Sequence, residues 1–196
     1  MNETSTTFKQ FDADFFLGTN SQQLVDGLSA TAFVGVGTNK QKYEAYGVSG
    51  SDFIVAGLIN VKNTKNQGSS YSFWEKQINS AYGSAELAWN DYAFLTVTAR
   101  NDWFSTLSLK DKKAPNNDLY TSASLSLVLS DALDLGSAVS FLKFRAGYSQ
   151  VAGGAGSPYA LSLSYGIYGQ GHLGASLGNI SGNRIPNSEI TPFEKN

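Results

Sequence analysis

Tyr92-Ala-Phe-Leu-Thr-Val-Thr-Ala-Arg-Asn-Asp-Trp-Phe-Ser-Thr-Leu107 is the stretch whose reading decides the fold class of this 196-residue chain. Ala93, Leu95, Val97, Ala99 and Trp103 fall on one set of alternate positions, and Thr96, Thr98, Arg100 and Asp102 on the other. Successive side chains of a strand point to opposite faces, so the stretch predicts one oily and one polar face. Aromatic residues stand near both ends, at Tyr92, Phe94, Trp103 and Phe104, where a membrane-crossing strand keeps its interfacial girdle. The run exceeds the ~9 to 11 tilted residues that a crossing strand needs.

The same alternation recurs on both sides of it. Strands are expected over residues 8–17, 27–37, 78–89, 119–129 and 138–150. In the second of these Leu28, Ala30, Ala32, Val34 and Val36 oppose Ser29, Thr31, Phe33 and Gly35. In the third Ala81, Ala85, Leu87 and Trp89 oppose Tyr82, Ser84 and Glu86, and Asn90-Asp91 makes a tight turn into the opening stretch. Lys143 and Arg145 lie on the polar side of the last strand, opposite Phe144, Ala146 and Tyr148.

The connections read as alternately short and long, with long ones over 38–77, 108–118 and 151–196. That asymmetry belongs to outer-membrane barrels, which have tight periplasmic turns and long external loops. Glu86, Arg100, Asp102, Lys143 and Arg145 are then lumen-facing charges. Six strands leave two open edges, which lipid does not tolerate, and small barrels begin at about eight strands. Either further strands form within the long connections, around residues 53–61 and 159–168, or the chain is a piece of a larger barrel. The reading is all-β: one antiparallel meander over residues 1–196, a partial barrel without a plug, signal peptide or N-terminal domain.

Composition limits the function. Lys and Arg number 14 against 16 Asp and Glu, a net charge of -2, which gives nucleic acid no electrostatic attraction. Charged residues make up 15%, against roughly 25% in ordinary soluble domains. Cysteine is absent, which excludes disulfides and thiolate metal sites. No apolar run approaches the ~18 residues of a membrane helix.

Catalytic chemistry does not assemble. His172 is the only histidine, so a histidine-based triad or a multi-histidine metal site has at most this one member. Gly147-Tyr-Ser-Gln-Val151 and Gly47-Val-Ser-Gly-Ser51 lack the closing glycine of a nucleophile elbow. Asp12 and Asp14 share a face, but glycoside hydrolysis needs one shielded acid of raised pKa. Asp111, Asn116, Asn117 and Asp118 match no calcium-loop spacing. The expectation is no enzyme, no cofactor and no metal.

The aromatics of the long connections are the ligand-binding candidates. Tyr43, Tyr46, Phe53, Tyr71, Phe73 and Trp74 lie in one, Tyr159, Tyr165 and Tyr168 in another. Sugar rings and peptide side chains stack on such platforms, and loop-on-loop packing is the competing use. Tyr46, Phe53, Trp74, Tyr159, Tyr165 and Tyr168 are singled out.

Several blocks in order carry a resemblance: Ala81-Tyr-Gly-Ser-Ala-Glu86, the Ala99-Arg-Asn-Asp-Trp103 core, and Tyr120-Thr-Ser-Ala-Ser-Leu-Ser-Leu127. Phe141-Leu-Lys-Phe-Arg-Ala-Gly-Tyr-Ser-Gln150, Ser157-Pro-Tyr159 and Ile185-Pro-Asn-Ser-Glu-Ile-Thr-Pro-Phe-Glu194 follow. In these the chain resembles the SusC/RagA class of TonB-dependent outer-membrane transporters of Bacteroidetes, over about residues 78–196. The resemblance implies a segment of a plugged barrel of about 22 strands, importing oligosaccharides or peptides. It also implies a SusD-like surface lipoprotein, energy from the TonB complex through other parts of the protein, and outer-membrane lipid around the wall. The alternative from another class is a soluble β-sandwich, a glycan-binding module or surface adhesin.

Overall fold

One antiparallel register keeps the oily positions of neighbouring strands together. The computed structural model describes residues 1–109, 115–133, 139–154, 156–168, 173, 175, 177–181, 185–187 and 189–195. Its main sheet is built from β1 (Asn2–Gly18), β2 (Gln22–Val25), β3 (Leu28–Phe53), β4 (Thr64–Trp89), β5 (Ala93–Phe104), β6 (Asn117–Val128) and β7 (Lys143–Ser149). The strand order is β1-β3-β4-β5-β6-β7, with β2 paired to β3, so the sheet is a meander, and it does not close. β8 (Val151–Gly153) pairs with β11 (Phe193–Lys195), and β9 (Tyr165–Tyr168) with β10 (Leu177–Ile180).

Directly opposed residues share a face. Leu17 faces Val34, Val34 faces Gly83, Gly83 faces Ala99, and Ala99 faces Thr121. One side of the sheet, here the outer face, thus carries Phe15, Leu28, Val36, Leu87, Val97, Leu125 and Phe144. On β3 and β4 its oily band runs over residues 28–36 and 81–89, about nine positions and close to the ~9 to 11 of a crossing strand. Phe15 is 71% exposed and Val34 64%, so among the described residues no second layer covers this face. A sandwich would cover it.

The strand expected over 27–37 continues beyond its expected end, and the one expected over 78–89 starts earlier than expected. β3 and β4 run for 26 residues each, paired continuously from Leu28↔Trp89 to Ser51↔Asn66. The long connection expected over 38–77 is therefore only residues 54–63, and the expected alternation of short and long connections fails there. Backbone ladder bonds persist wherever both strands stay extended; oily alternation marks only the part with one face away from water. No further strand forms over 54–61. The chain instead turns through Asp52, at φ 61°, and a short 3₁₀ helix, Val61–Asn63. The buried Asn63 amide pins this turn, accepting from the Val55 N–H at 3.0 Å and donating to Val55 O and Leu58 O at 2.8 and 2.7 Å.

Other expectations need smaller corrections. β5 ends at Phe104, and Ser105–Leu107 is a 3₁₀ turn. Phe94 and Phe104 lie on the inner face rather than in an outer girdle; Phe104 packs with Leu107, Leu161 and Ile78 in a small buried cluster. A short helix α1 (Leu129–Ala132) starts the connection to β7, which begins at Lys143 rather than 138. Part of the expected strand around 159–168 forms as β9, in a separate hairpin.

The turns explain the register. Asn90 and Asp91 have φ of 46° and 58°, the two left-handed positions of a type I′ hairpin turn that suits the twist of the flanking strands. Gly35 lies opposite Tyr82, whose ring covers it so closely that a Cβ there would come within 2.7 Å of ring carbon. Only glycine admits that approach.

Candidate functional site

The pleat puts Asp12, Asp14, Glu86, Arg100, Asp102, Lys143 and Arg145 on the inner face, and the network around Arg100 and Asp102 is internally bonded. Asp102, 6% exposed, accepts from Arg100 Nε at 2.9 Å and from the Tyr120 hydroxyl. Arg100 Nη2 donates to Ser80 Oγ at 2.8 Å, and the guanidinium stands 5.5 Å from the centre of the Tyr82 ring. Tyr82 in turn donates to Asp14 Oδ1 at 3.1 Å. Asp12 accepts from the Asn39 amide and, at 2.7 Å, from Gln10. Five strands, β1 and β3 to β6, are thus cross-linked by charge-assisted bonds, the stronger class of hydrogen bond. Arg100 and Asp102 bind each other and the neighbouring strands. Asp118 lies opposite Asp102 and keeps one buried oxygen without a partner among the described residues.

Glu86, Lys143 and Arg145 do come together. With Thr96, Ser124 and Ser126 they line an inner-face groove of about 640 Å³. Thr96 donates to Glu86 at 3.1 Å. Among the described residues neither Lys143 nor Arg145 makes an ion pair, so the groove offers two cations to an anion.

The aromatics expected on one loop are strand residues, and the pleat separates them. Tyr43 and Trp74 share the inner face as opposed partners, stacked with ring centres 5.5 Å apart and planes 9° off parallel. Phe8 of β1 joins them at 6.2 Å from Trp74, and Lys76 Nζ lies 5.7 Å from the Trp74 ring centre. Tyr46 and Tyr71 oppose each other on the outer face at 4.8 Å, with Phe73 6.5 Å from Tyr71. Desolvation first, and then hydrogen bonding and the neighbouring Tyr46 and Glu44, raise the Tyr71 pKa. Phe53 closes β3 opposite Thr64. Tyr159 is in a turn at φ 59°, its hydroxyl accepting from the Glu75 N–H at 3.3 Å. Tyr165 and Tyr168 lie in β9. They and the inner aromatic group belong to separate elements.

Sequence reasoning missed Phe8 and Tyr43 as partners of Trp74. The signal was present: Tyr43 with Trp74, Tyr46 with Tyr71 and Lys42 with Glu75 lie symmetrically about the Leu58–Ile59 bond, as the cross-strand pairs of one hairpin must. His172 and Asp111 lie outside the described residues. Among the described residues no group of three His, Cys, Asp or Glu could hold a metal ion.

No protein-family profile matches the chain, and no curated protein matches it. Solved structures do match. A chain of the RagAB peptide transporter superposes with a TM-score of 0.80 at 12% identity, covering 98% of this chain and 21% of its own length. The RagAB peptide importer in its closed-closed and open-open states gives TM-scores of 0.79 and 0.78 at 13% and 12% identity, over the same shares. At this identity the likeness is one of fold. The chain spans about a fifth of the length of the structures it matches.

Proposed function

We propose that this chain forms part of the wall of an outer-membrane β-barrel transporter. Its oily face meets lipid, and the face bearing Glu86, Arg100, Asp102, Lys143 and Arg145 lines the lumen. The observation that carries this reading is the outer face of β3 and β4. It is oily over about nine positions, the length of a crossing strand, and beyond Thr38 and Asn79 it turns to Lys40, Lys42, Glu44 and Glu75. A soluble sheet has no reason to change its outer chemistry at one height. The likeness in fold to a peptide transporter, and the resemblance of the sequence blocks to the SusC/RagA class, point the same way.

In this reading the role is passive. The chain guides and binds a peptide or oligosaccharide, while the lid contact with a SusD-like lipoprotein and the TonB coupling involve the whole protein. Trp74, with Tyr43 and Phe8, is the lumen-side platform, and Phe53, Tyr159, Tyr165 and Tyr168 are further candidate ligand contacts. Tyr46, on the outer side, suits contact with a neighbouring protein better than contact with substrate.

These 196 residues contain no cysteine, so single cysteines can be placed here once any cysteine elsewhere in the protein is replaced by serine. Val34→Cys and Thr31→Cys, introduced singly into the full-length protein in outer-membrane vesicles, are labelled with an environment-sensitive maleimide fluorophore. The label at residue 34 is expected to be quenched by nitroxide-bearing lipid, and the label at 31 by aqueous iodide. Recovery of the full-length protein as a detergent-free soluble monomer would refute the reading.

A further inference from the structure

β4 outruns its neighbour. β5 pairs with it only from Ile78 to Trp89, whereas β4 continues to Thr64, so its upper part is an edge strand on the β5 side. The first two N–H groups of that edge are taken by hydroxyls: Gln77 donates to Ser105 Oγ at 2.8 Å, and Glu75 to Tyr159 Oη at 3.3 Å. Antiparallel pairing turns alternate residues to the same edge, and the β3–β4 register has no shift through this region. Phe73, Tyr71, Ser69 and Gln67 therefore present their N–H and C=O groups in a row. Residues 65–73 are exposed, and these four groups have no hydrogen-bond partner on that side among the described residues.

Proteins blunt open edges with proline, lysine or bulges because such edges template pairing. Here Gln67-Gly-Ser-Ser-Tyr-Ser-Phe73 carries none of these. The far side of β1 is also open, but it runs through the oily band, where lipid forbids unpaired backbone, so it requires a neighbouring stave. The β4 edge stands above the band, in water, where it can stay open until a ligand arrives.

We propose that this edge binds an extended peptide by strand addition, the backbone of the ligand completing the ladder at residues 67, 69, 71 and 73. The inference rests on the barrel reading and narrows its substrate class. A peptide backbone supplies donors and acceptors at the ladder spacing of ~3.4 Å per residue; an oligosaccharide does not. The flanking side chains set a loose preference. Gly68, Ser70 and Ser72 leave room on the inner side, and Tyr71 and Phe73 offer aromatic contact on the outer side.

The probe is a fluorescein-labelled acetylated heptapeptide alternating threonine and valine, titrated into the full-length protein in detergent. Tyr71→Pro removes an edge N–H without touching the β3–β4 ladder, and proline is tolerated on edges. It is expected to weaken binding roughly tenfold, the loss of one or two ladder bonds, while Tyr71→Ala, which keeps the N–H, costs less than about threefold. The same peptide N-methylated at alternate residues is expected not to bind the unmutated protein, which keeps the test valid if the proline variant misfolds. Equal losses for the two Tyr71 variants, unchanged binding of the N-methylated peptide, or displacement of the peptide by maltoheptaose would each overturn the proposal. So would a protein dimer that Tyr71→Pro dissociates, since a second copy would then own the edge. Failure in protein that still fractionates with the outer membrane sinks this inference alone; soluble fractionation sinks the barrel reading.

Discussion

The lower and upper halves of the β3–β4 hairpin share one unbroken backbone ladder and have opposite surfaces. Over residues 28–36 and 81–89 the outer face is Leu, Ala, Val, Gly and Trp, and the inner face is Ser, Thr, Phe, Tyr, Gly, Ala and Glu. Above Thr38 and Asn79 the outer face carries two ion pairs, Lys40–Glu75 at 2.7 Å and Lys42–Glu44 at 3.2 Å, followed by Tyr46, Tyr71 and Phe73. The inner face of that half holds the Phe8–Tyr43–Trp74 group. Strand length is thus set by the ladder, and the chemistry of each face reports the medium it meets.

The sharpest way to break this contrast is to put the same charge in both halves. Val34→Arg places a cation in the middle of the oily band, where a barrel strand is destabilised by about 2–4 kcal/mol. Val48→Arg sits on the same outer face in the upper half, where a surface substitution changes stability by no more than about 0.5 kcal/mol. Guanidinium unfolding of the detergent-folded full-length protein measures both. Equal effects at the two sites would remove the boundary at Thr38.

A second comparison sets the inner faces against each other. Asp102→Ala leaves the Arg100 guanidinium and the Tyr120 hydroxyl without their shared acceptor, at a cost of about 1–3 kcal/mol. Trp74→Ala dissolves a partly exposed stack and costs less, roughly 1 kcal/mol from the aromatic pairing, while removing the proposed lumen platform. The two variants should separate in the same assay: Asp102→Ala lowers the unfolding midpoint more, and Trp74→Ala weakens ligand binding more. The reverse order would mean that the stack, and not the charge network, holds the wall together.

This contrast also explains what could be read from the sequence. The lower half was legible because its two faces differ in chemistry, which puts period-two alternation on Leu28, Ala30, Ala32, Val34 and Val36. Above Thr38 both faces carry polar and charged residues, so Lys40-Gln-Lys-Tyr-Glu44 has no oily alternation and looks like a loop. Its strand character is carried by pairing with residues far along the chain, visible only in the mirror symmetry of Tyr43 with Trp74 and Tyr46 with Tyr71. The facing of Arg100 and Asp102 was legible for the same period-two reason. Their partners Ser80 and Tyr120 were not, because a two-position change in register keeps the facing and would have offered Arg100 other neighbours. Phe104 looked like a girdle residue from its end position, although the same alternation puts it on the face of Arg100 and Asp102. Its burial depends on Leu161, which a long connection brings back.

The smallest effect tests where the boundary lies. Lys40 and Glu75 form the first ion pair above the oily band, with side chains 46% and 35% exposed. In water such a pair is worth at most about 1 kcal/mol and is screened by salt. Lys40→Met should therefore cost less than about 1 kcal/mol at low ionic strength and almost nothing at 1 M salt, measured in the same unfolding assay. A pair inside the low-dielectric band behaves differently, because removing one partner strands the other charge and costs about 3–5 kcal/mol. Salt reaches such a pair poorly, so that cost would persist at 1 M. A large, salt-resistant loss at Lys40 would place the pair in lipid and move the boundary up the hairpin. A small, salt-sensitive one keeps the boundary between Val36 and Lys40, and with it the conclusion that the upper half of β3 and β4 stands in water.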